Sequence, residues 1–433
     1  MSSTLMLDGG IGSGSKAFVV RYSPQGEPEW AQQSSAAAAY SFVEGNSIGI
    51  DGAGNIYVTG SLDDSVTIGS VTVRLPRTNN TGFTGLTIGG YLARFSGSTG
   101  ALQVLVPAYH YSTPINFLAY SHPKLAVAFN GDVFLLNHFS HSIVFADTTL
   151  TSRGQSDIVA AKYGAQGDFQ WAQQFGGAQA DEVGEGVADE SSNLYITGSF
   201  TGLAAFGNIT MAGAGNSDGC LIKCSPQGTV QWVQSGAGPG SDGLHDISLD
   251  AAGNLCVVGH FSNTARFNSA TLTSAGDTDI LVASYNSLGQ LHWLQQASGP
   301  AYNLGFNIGL DASGALYIMG SFTDTSVFGS ITITSKAPYE AFIAKLAYVT
   351  LSTHTTSSTS VALYPNPASS AVHLSGIPTN SAVQLLDATG RVVRTTTITS
   401  GTTVSVQGLL PGLYVVRATD AQGRLYAGRL RVE

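Results

Sequence analysis

Asn193-Leu-Tyr-Ile-Thr-Gly-Ser-Phe200 is a short β-branched and aromatic run closed by Gly-Ser, and its reading decides the fold. Four relatives stand elsewhere: Asn55-Ile-Tyr-Val-Thr-Gly-Ser-Leu62, Asp132-Val-Phe-Leu-Leu-Asn-His-Phe139, Asn254-Leu-Cys-Val-Val-Gly-His-Phe261 and Ala315-Leu-Tyr-Ile-Met-Gly-Ser-Phe322. Each follows a polar turn, in order Asp51-Gly-Ala-Gly54, Asn130-Gly131, Asp189-Glu-Ser-Ser192, Asp250-Ala-Ala-Gly253 and Asp311-Ala-Ser-Gly314. Asp and Asn bond the turn backbone and Gly supplies positive φ, so these are hairpins. A calcium loop would need six to eight oxygens, which one or two carboxylates per turn do not supply.

A second hairpin recurs upstream of each. A strand ends in a basic and an aromatic residue, turns on glycine, and returns through Trp four residues on: Arg21-Tyr22 to Trp30, Lys162-Tyr163 to Trp171, Lys223-Cys224 to Trp232, and Ser284-Tyr285 to Trp293. Val104 stands at the Trp place in the second copy. The turn glycines Gly26, Gly100, Gly167, Gly228 and Gly289 lie 74, 67, 61 and 61 residues apart. Self-similarity at a fixed period means stacked or radial supersecondary units. All four Trp occupy one repeat position, which predicts a packing layer between neighbouring sheets.

Four or five short strands per repeat and no helical periodicity point to an all-β chain whose sheets stand around an axis, a β-propeller of about five blades over residues 1–347. The third-strand pattern occurs a sixth time, in Ala341-Phe-Ile-Ala-Lys-Leu346, without a Trp return, so the ends carry a split or partial repeat. Residues 348–360, rich in Ser and Thr, read as a linker. About seven short strands over 361–433 suit a small immunoglobulin-like β-sandwich.

Charged residues are 11% of the 433, the net charge is -10, and Gly reaches 53. That acidic balance excludes a nucleic-acid backbone binder. No apolar run reaches the roughly 18 residues a membrane-spanning helix needs. Cys220, Cys224 and Cys256 fall where other copies hold apolar groups and read as small buried hydrophobes.

Two ordered sets of residues resemble known families. Tyr364-Pro365-Asn366-Pro367 after the linker, Val383 to Val393 with Gly390-Arg391, Leu410-Pro-Gly412-Leu-Tyr414 and Arg429-Leu-Arg-Val432 together resemble the type A sorting domain of the type IX secretion system. The resemblance implies export across the outer membrane by that machinery as partner, with the domain then removed and the cargo released or attached to surface lipopolysaccharide. Asp157-Ile-Val-Ala-Ala-Lys162 and Leu194 to Phe200 resemble the bacterial β-propeller repeat family, over roughly Thr4 to Leu346, which implies a scaffold and no fixed activity. Met1 to Gly10 shows neither the basic n-region nor the apolar h-region of a signal peptide. The expected location, extracellular or at the outer-membrane surface, carries that reservation.

Repeat mismatches point to recognition loops. From Gly60 to Gly100 the chain takes 40 residues where later copies take 30, an insertion holding Arg77, Asn79, Asn80 and Phe83. Pro107 to Lys124 is also enlarged and holds Tyr109, His110, Tyr111, Phe117, Tyr120 and His122. These aromatics are expected to be exposed and to stack on sugars or grip a protein. His110, His122, His138 and His141 fall within 32 residues, but without finger-like spacing or cysteine partners they read as solvated or packing residues rather than a metal site. Asp181, Glu182 and Glu185 are candidates for a carboxylate pair, against the plainer reading of a solvated acidic loop. Ser225-Pro-Gln-Gly-Thr-Val-Gln-Trp232 lacks the Asp of a sialidase-type box. The expectation is therefore non-catalytic binding of a carbohydrate, matrix or protein ligand without a cofactor. A polysaccharide hydrolase or lyase, or a structural and adhesion spacer, stands as the alternative.

Overall fold

The computed structural model describes residues 3–7, 15–36, 42–76, 87–112, 122–311, 313–346, 359–387, 392–398, 403–420 and 425–433. Its contacts divide the chain into two compact units, Met1–Ala347 and Tyr348–Glu433. Every regular element among the described residues is a strand.

The first unit is the β-propeller. The second sheet runs from its inner strand Ser47–Ile50 through Ile56–Asp63 and Ile88–Phe95 to the outer strand Leu102–Tyr111. The third repeats it with Lys124–Val127, Val133–Phe139, Asp157–Tyr163 and Phe169–Gly177, and the fourth with Glu182–Ala188, Leu194–Phe200, Asp218–Cys224 and Val230–Ala237. The fifth follows with Gly243–Leu249, Leu255–Phe261, Asp279–Tyr285 and Leu291–Ala297. The end repeats contribute three strands of their own among the described residues: Ser3–Leu7, Phe18–Tyr22 and Pro28–Ala36 in the first sheet, which the hairpin Ser65–Ile68 and Val71–Arg74 extends to five, and Asn303–Leu310, Leu316–Phe322 and Glu340–Leu346 in the sixth. Successive inner strands stand side by side. Ile50, Val127, Ala188 and Leu249, at corresponding ends of four of them, line one axial cavity of about 670 Å³.

One feature departs from the repeat as read in sequence. The alternating hairpin after each second strand leaves its own sheet and extends the preceding one. Thus Ser142–Phe145 pairs with Leu102–Tyr111 through Ile143 and Tyr111, Leu203–Phe206 with Phe169–Gly177, and Thr264–Phe267 with Val230–Ala237. Every repeat thereby grips its predecessor by main-chain hydrogen bonds as well as by packing.

The Trp layer is the second grip. Trp30 Nε1 donates to Gly97 O of the next sheet, Trp171 to Pro226 O, and Trp232 to Ser287 O, at 3.0, 3.1 and 3.3 Å. The repeat-specific cation donates to the same carbonyl: Arg21 to Gly97, Lys162 to Pro226 and Lys223 to Ser287. Each indole lies against the turn glycine of that neighbour, Gly100, Gly228 or Gly289, and Val104 fills the same place against Gly167. These glycines have φ of +69 to +82°, as the turn requires.

The polar turns are hairpins. In Asp51-Gly-Ala-Gly54 the carboxylate accepts from Ala53 N, Asn55 N, Asn55 Nδ2 and Tyr57 Oη, and Asp189 accepts from Ser191 N, Asn193 N, Asn193 Nδ2 and Tyr195 Oη in the same way. Their lone pairs are spent on the turn itself. All three cysteines are free and buried, and burial pushes the Cys224 thiol up to about 12, so they pack as small apolar groups.

In the second unit, Thr359–Ser360, Leu425–Val432, Gly412–Thr419, Ala382–Leu386 and Val392–Thr397 form one sheet, and Ala362–Tyr364, Ala371–Ser375 and Thr403–Ser405 another. Val372, Leu374, Val383, Leu385, Val416 and Leu430 close the core between them. Asn366 of the Tyr-Pro-Asn-Pro stretch clasps the last strand, donating to Arg429 O at 2.8 Å and accepting from Arg431 N at 2.9 Å. Tyr414 is buried and its hydroxyl donates to Leu410 O. Gly412 opens its strand, while Gly390 and Arg391 lie outside the described residues.

Candidate ligand-binding site

The glycine two residues before the end of the second strand in the fourth, fifth and sixth sheets has a structural task that builds a site. A Cβ on Gly198, Gly259 or Gly320 would overlap the carbonyl oxygen of Glu182, Gly243 or Leu304 on the adjoining inner strand. That close approach accompanies a β-bulge in each inner strand, between Val183 and Gly186, Leu244 and Asp246, and Gly305 and Asn307. The third sheet holds Asn137 at the glycine place, and its inner strand starts only at Lys124, in regular register opposite Leu136. Bulges re-aim side chains. Here the residues left out of register are Gly184 with Glu185, His245, and Phe306, all at the entry end of the inner strands, opposite the polar turns.

Glu185 Oε1 accepts from Lys124 Nζ at 2.6 Å, joining the third and fourth sheets. His245 Nε2 and His260 Nδ1 are 2.7 Å apart with stacked rings, and Phe306 meets His245 edge-on at 6.1 Å between centroids. Burial lowers the pKa of both imidazoles, His260 to about 4. At neutral pH the pair is uncharged, one ring donates to the other, and one donor and one acceptor remain for a ligand. Asp246 accepts from Ile308 N at 2.8 Å, and burial together with the charge of Glu185 raises it to about 6. His138 is pushed down by burial, and its Nδ1 has no partner among the described residues.

Between the fourth and fifth sheets, Glu182, Ser199, Thr201, Ser217, His245 and His260 line a cleft of about 220 Å³. The Glu182 carboxylate is exposed and makes no hydrogen bond or ion pair among the described residues. Tyr302 and Phe306, 50% and 43% exposed, stand on the sixth-sheet side.

Of the residues expected from sequence, His122 comes to this mouth, its Nδ1 2.9 Å from Asn46 Nδ2 and 3.9 Å from Glu44 Oε2. Tyr109 and Tyr111 do not, and the expectation that they are exposed is corrected. They end an outer strand and are 2% and 5% exposed, packed against each other, with Tyr109 also against Phe145; the Tyr109 hydroxyl accepts from Asn137 Nδ2. His110 is half-buried beside a separate cavity of about 240 Å³ with Pro107 and Phe169. Arg77, Phe83, Phe117 and Tyr120 lie outside the described residues. Asp181 is buried, whereas Glu182 and Glu185 stand at the mouth. Sequence reasoning missed Lys124, His245, Asp246, His260 and Phe306. A signal existed: His138 and His260 replace the serine that the other second strands carry as Ser61, Ser199 and Ser321.

The bulge glycine gives a direct test. Gly259→Ala is expected to destabilise the protein by about 2–3 kcal/mol, as overpacking does, and to shift the His245 and His260 NMR resonances. A variant with parental stability and unmoved resonances would show that the bulge does not depend on this contact.

Comparison with known proteins agrees with the two-part organisation. Residues 362–430 match the model of the secretion system C-terminal sorting domain, and residues 29–61 and 170–199 match the β-propeller repeat. An uncharacterized WD repeat-containing protein of Acanthamoeba polyphaga mimivirus is 25% identical over 185 residues, covering 37% of this chain and 13% of that protein. Among solved structures, a Bacteroides caccae protein of unknown function is similar at 10% identity and a TM-score of 0.30, covering 78% of this chain and 94% of that one. PorZ, a surface component of the type IX secretion system of Porphyromonas gingivalis, is similar at 12% identity and a TM-score of 0.16, covering 98% and 86%. The chain carries β-propeller repeats and a type IX sorting domain, as a secreted propeller cargo does.

Proposed function

We propose that this sorting-domain β-propeller works outside the cell or on its surface, where the mouth of its axis binds a carbohydrate without cleaving it. The carrying observation is that bulges in three successive inner strands fall at Gly184–Glu185, His245 and Phe306, and that Phe306 meets His245 edge-on beside the cleft. Exposed Phe306 and Tyr302 offer flat apolar faces, and the neighbouring imidazoles, hydroxyls and carboxylates offer the planar donors and acceptors that sugar hydroxyls need. Glu185 is tied to Lys124 and the two histidines to each other. That is a preorganised recognition surface rather than a pair of free catalytic carboxylates.

Glycan-array binding combined with turnover assays on the same polysaccharides tests the reading. Retention without cleavage is expected, and Phe306→Ala should weaken it about tenfold, the scale of one lost aromatic contact. Cleavage would establish the hydrolase or lyase instead. Neither binding nor cleavage would leave the spacer.

A further inference from the structure

We infer that the cleft between the fourth and fifth sheets takes an amino sugar with its amine free, the ammonium group seated on Glu182. This rests on the carbohydrate reading above and names its substrate class. The cleft holds about 220 Å³, the scale of one sugar ring. Its polar lining is one carboxylate, three hydroxyls from Ser199, Thr201 and Ser217, and the His245–His260 pair.

The charge balance of that lining decides the ligand. Lys124 is the nearby cation, and its ammonium is already taken by Glu185 at 2.6 Å. The two imidazoles are uncharged at neutral pH because burial lowers both. The cleft thus presents the single uncompensated charge of Glu182, whose carboxylate has no partner among the described residues. A ligand ammonium would gain a charge-assisted hydrogen bond there. A uronate or sulfate would meet like charge with no cation to answer it. The hydroxyls and the remaining donor and acceptor of the histidine pair suit ring hydroxyl groups, which donate and accept alike.

Calorimetry or ligand-observed NMR on the full chain at about pH 7, with glucosamine, N-acetylglucosamine, glucose and glucuronate, tests this. Glucosamine is expected to bind about tenfold more tightly than glucose or its N-acetyl relative, and glucuronate most weakly. Glu182→Gln, an isosteric change at an exposed position, should bring glucosamine binding down to the level of glucose and so erase the amine preference. Glucuronate binding as tightly as glucosamine, or an amine preference that survives Glu182→Gln, overturns the inference while the carbohydrate reading stands. Silence toward all four sugars, with no retention on glycan arrays, overturns both.

Discussion

Trp171→Ala is expected to lower the stability of the propeller by about 3 kcal/mol, at the lower end of Trp truncations because the ring is only half-buried. The indole does three things at once. It packs on Phe134 at 5.9 Å between centroids, lies over Gly228 of the next sheet, and donates to Pro226 O. Alanine removes the packing and opens a gap between the third and fourth sheets, and Lys162 alone is left on the Pro226 carbonyl. The second sheet supplies the control, because Val104 fills the same place against Gly167. Trp171→Val should therefore recover part of the loss. Thermal and denaturant unfolding of the two variants measure it. Equal, near-parental stabilities would mean that the swapped hairpins alone hold the sheets together.

Asp242→Asn is expected to stabilise the protein at pH 8, with the gain shrinking steadily on acidification and nearly gone at pH 4 and below. At the junction of the third and fourth sheets, Asp157 and Asp181 both crowd the point where a Cβ on Gly176 would sit. Asp218 and Asp242 repeat the arrangement one junction on. All four are fully buried, and Asp157 Oδ1 and Asp242 Oδ2 have no hydrogen-bond partner among the described residues. Burial, with the charge of the facing aspartate adding to it, raises Asp181 to about 6 and Asp242 to about 7. A carboxyl pKa raised on folding stabilises the fold fully below the unfolded value near 3.8, and that contribution disappears as pH rises through 6 and 7. The next junction shows the remedy: Asn303, a neutral amide, stands beside Asp279 where Asp181 and Asp242 stand in their repeats. The gain at pH 8 is on the order of 2–4 kcal/mol, read as the difference in Tm between variant and parent across pH. A difference that stays constant with pH would show that Asp242 does not carry the proton.

Much of the local architecture was legible in the residues. The Asp-x-x-Gly turns, the glycine returns and the Trp position announce themselves because turn chemistry acts over four or five residues and needs specific side chains. Cys220, Cys224 and Cys256 were readable as core by register with the other copies. The site was less legible. Tyr109 and Tyr111 sit next to an enlarged segment and look like loop aromatics, yet strand Leu102–Tyr111 continues through them and alternation turns both into the core. Length mismatch marks where a chain has grown, and says nothing about which way a side chain faces.

By itself the sequence determined the repeat, its hairpins, the Trp layer between neighbouring sheets and the sorting tail, since each follows from short-range bonding or from a pattern repeated at one register. Only the tertiary structure decided that every second hairpin joins the preceding sheet, and that His245, His260, Glu182 and Lys124 share one mouth. Those outcomes depend on inner strands from different repeats lining up around an axis and on the bulges in those strands that face Gly198, Gly259 and Gly320. Residues tens of positions apart become neighbours there through backbone geometry, which leaves in the sequence no more than a glycine and an occasional histidine in place of serine.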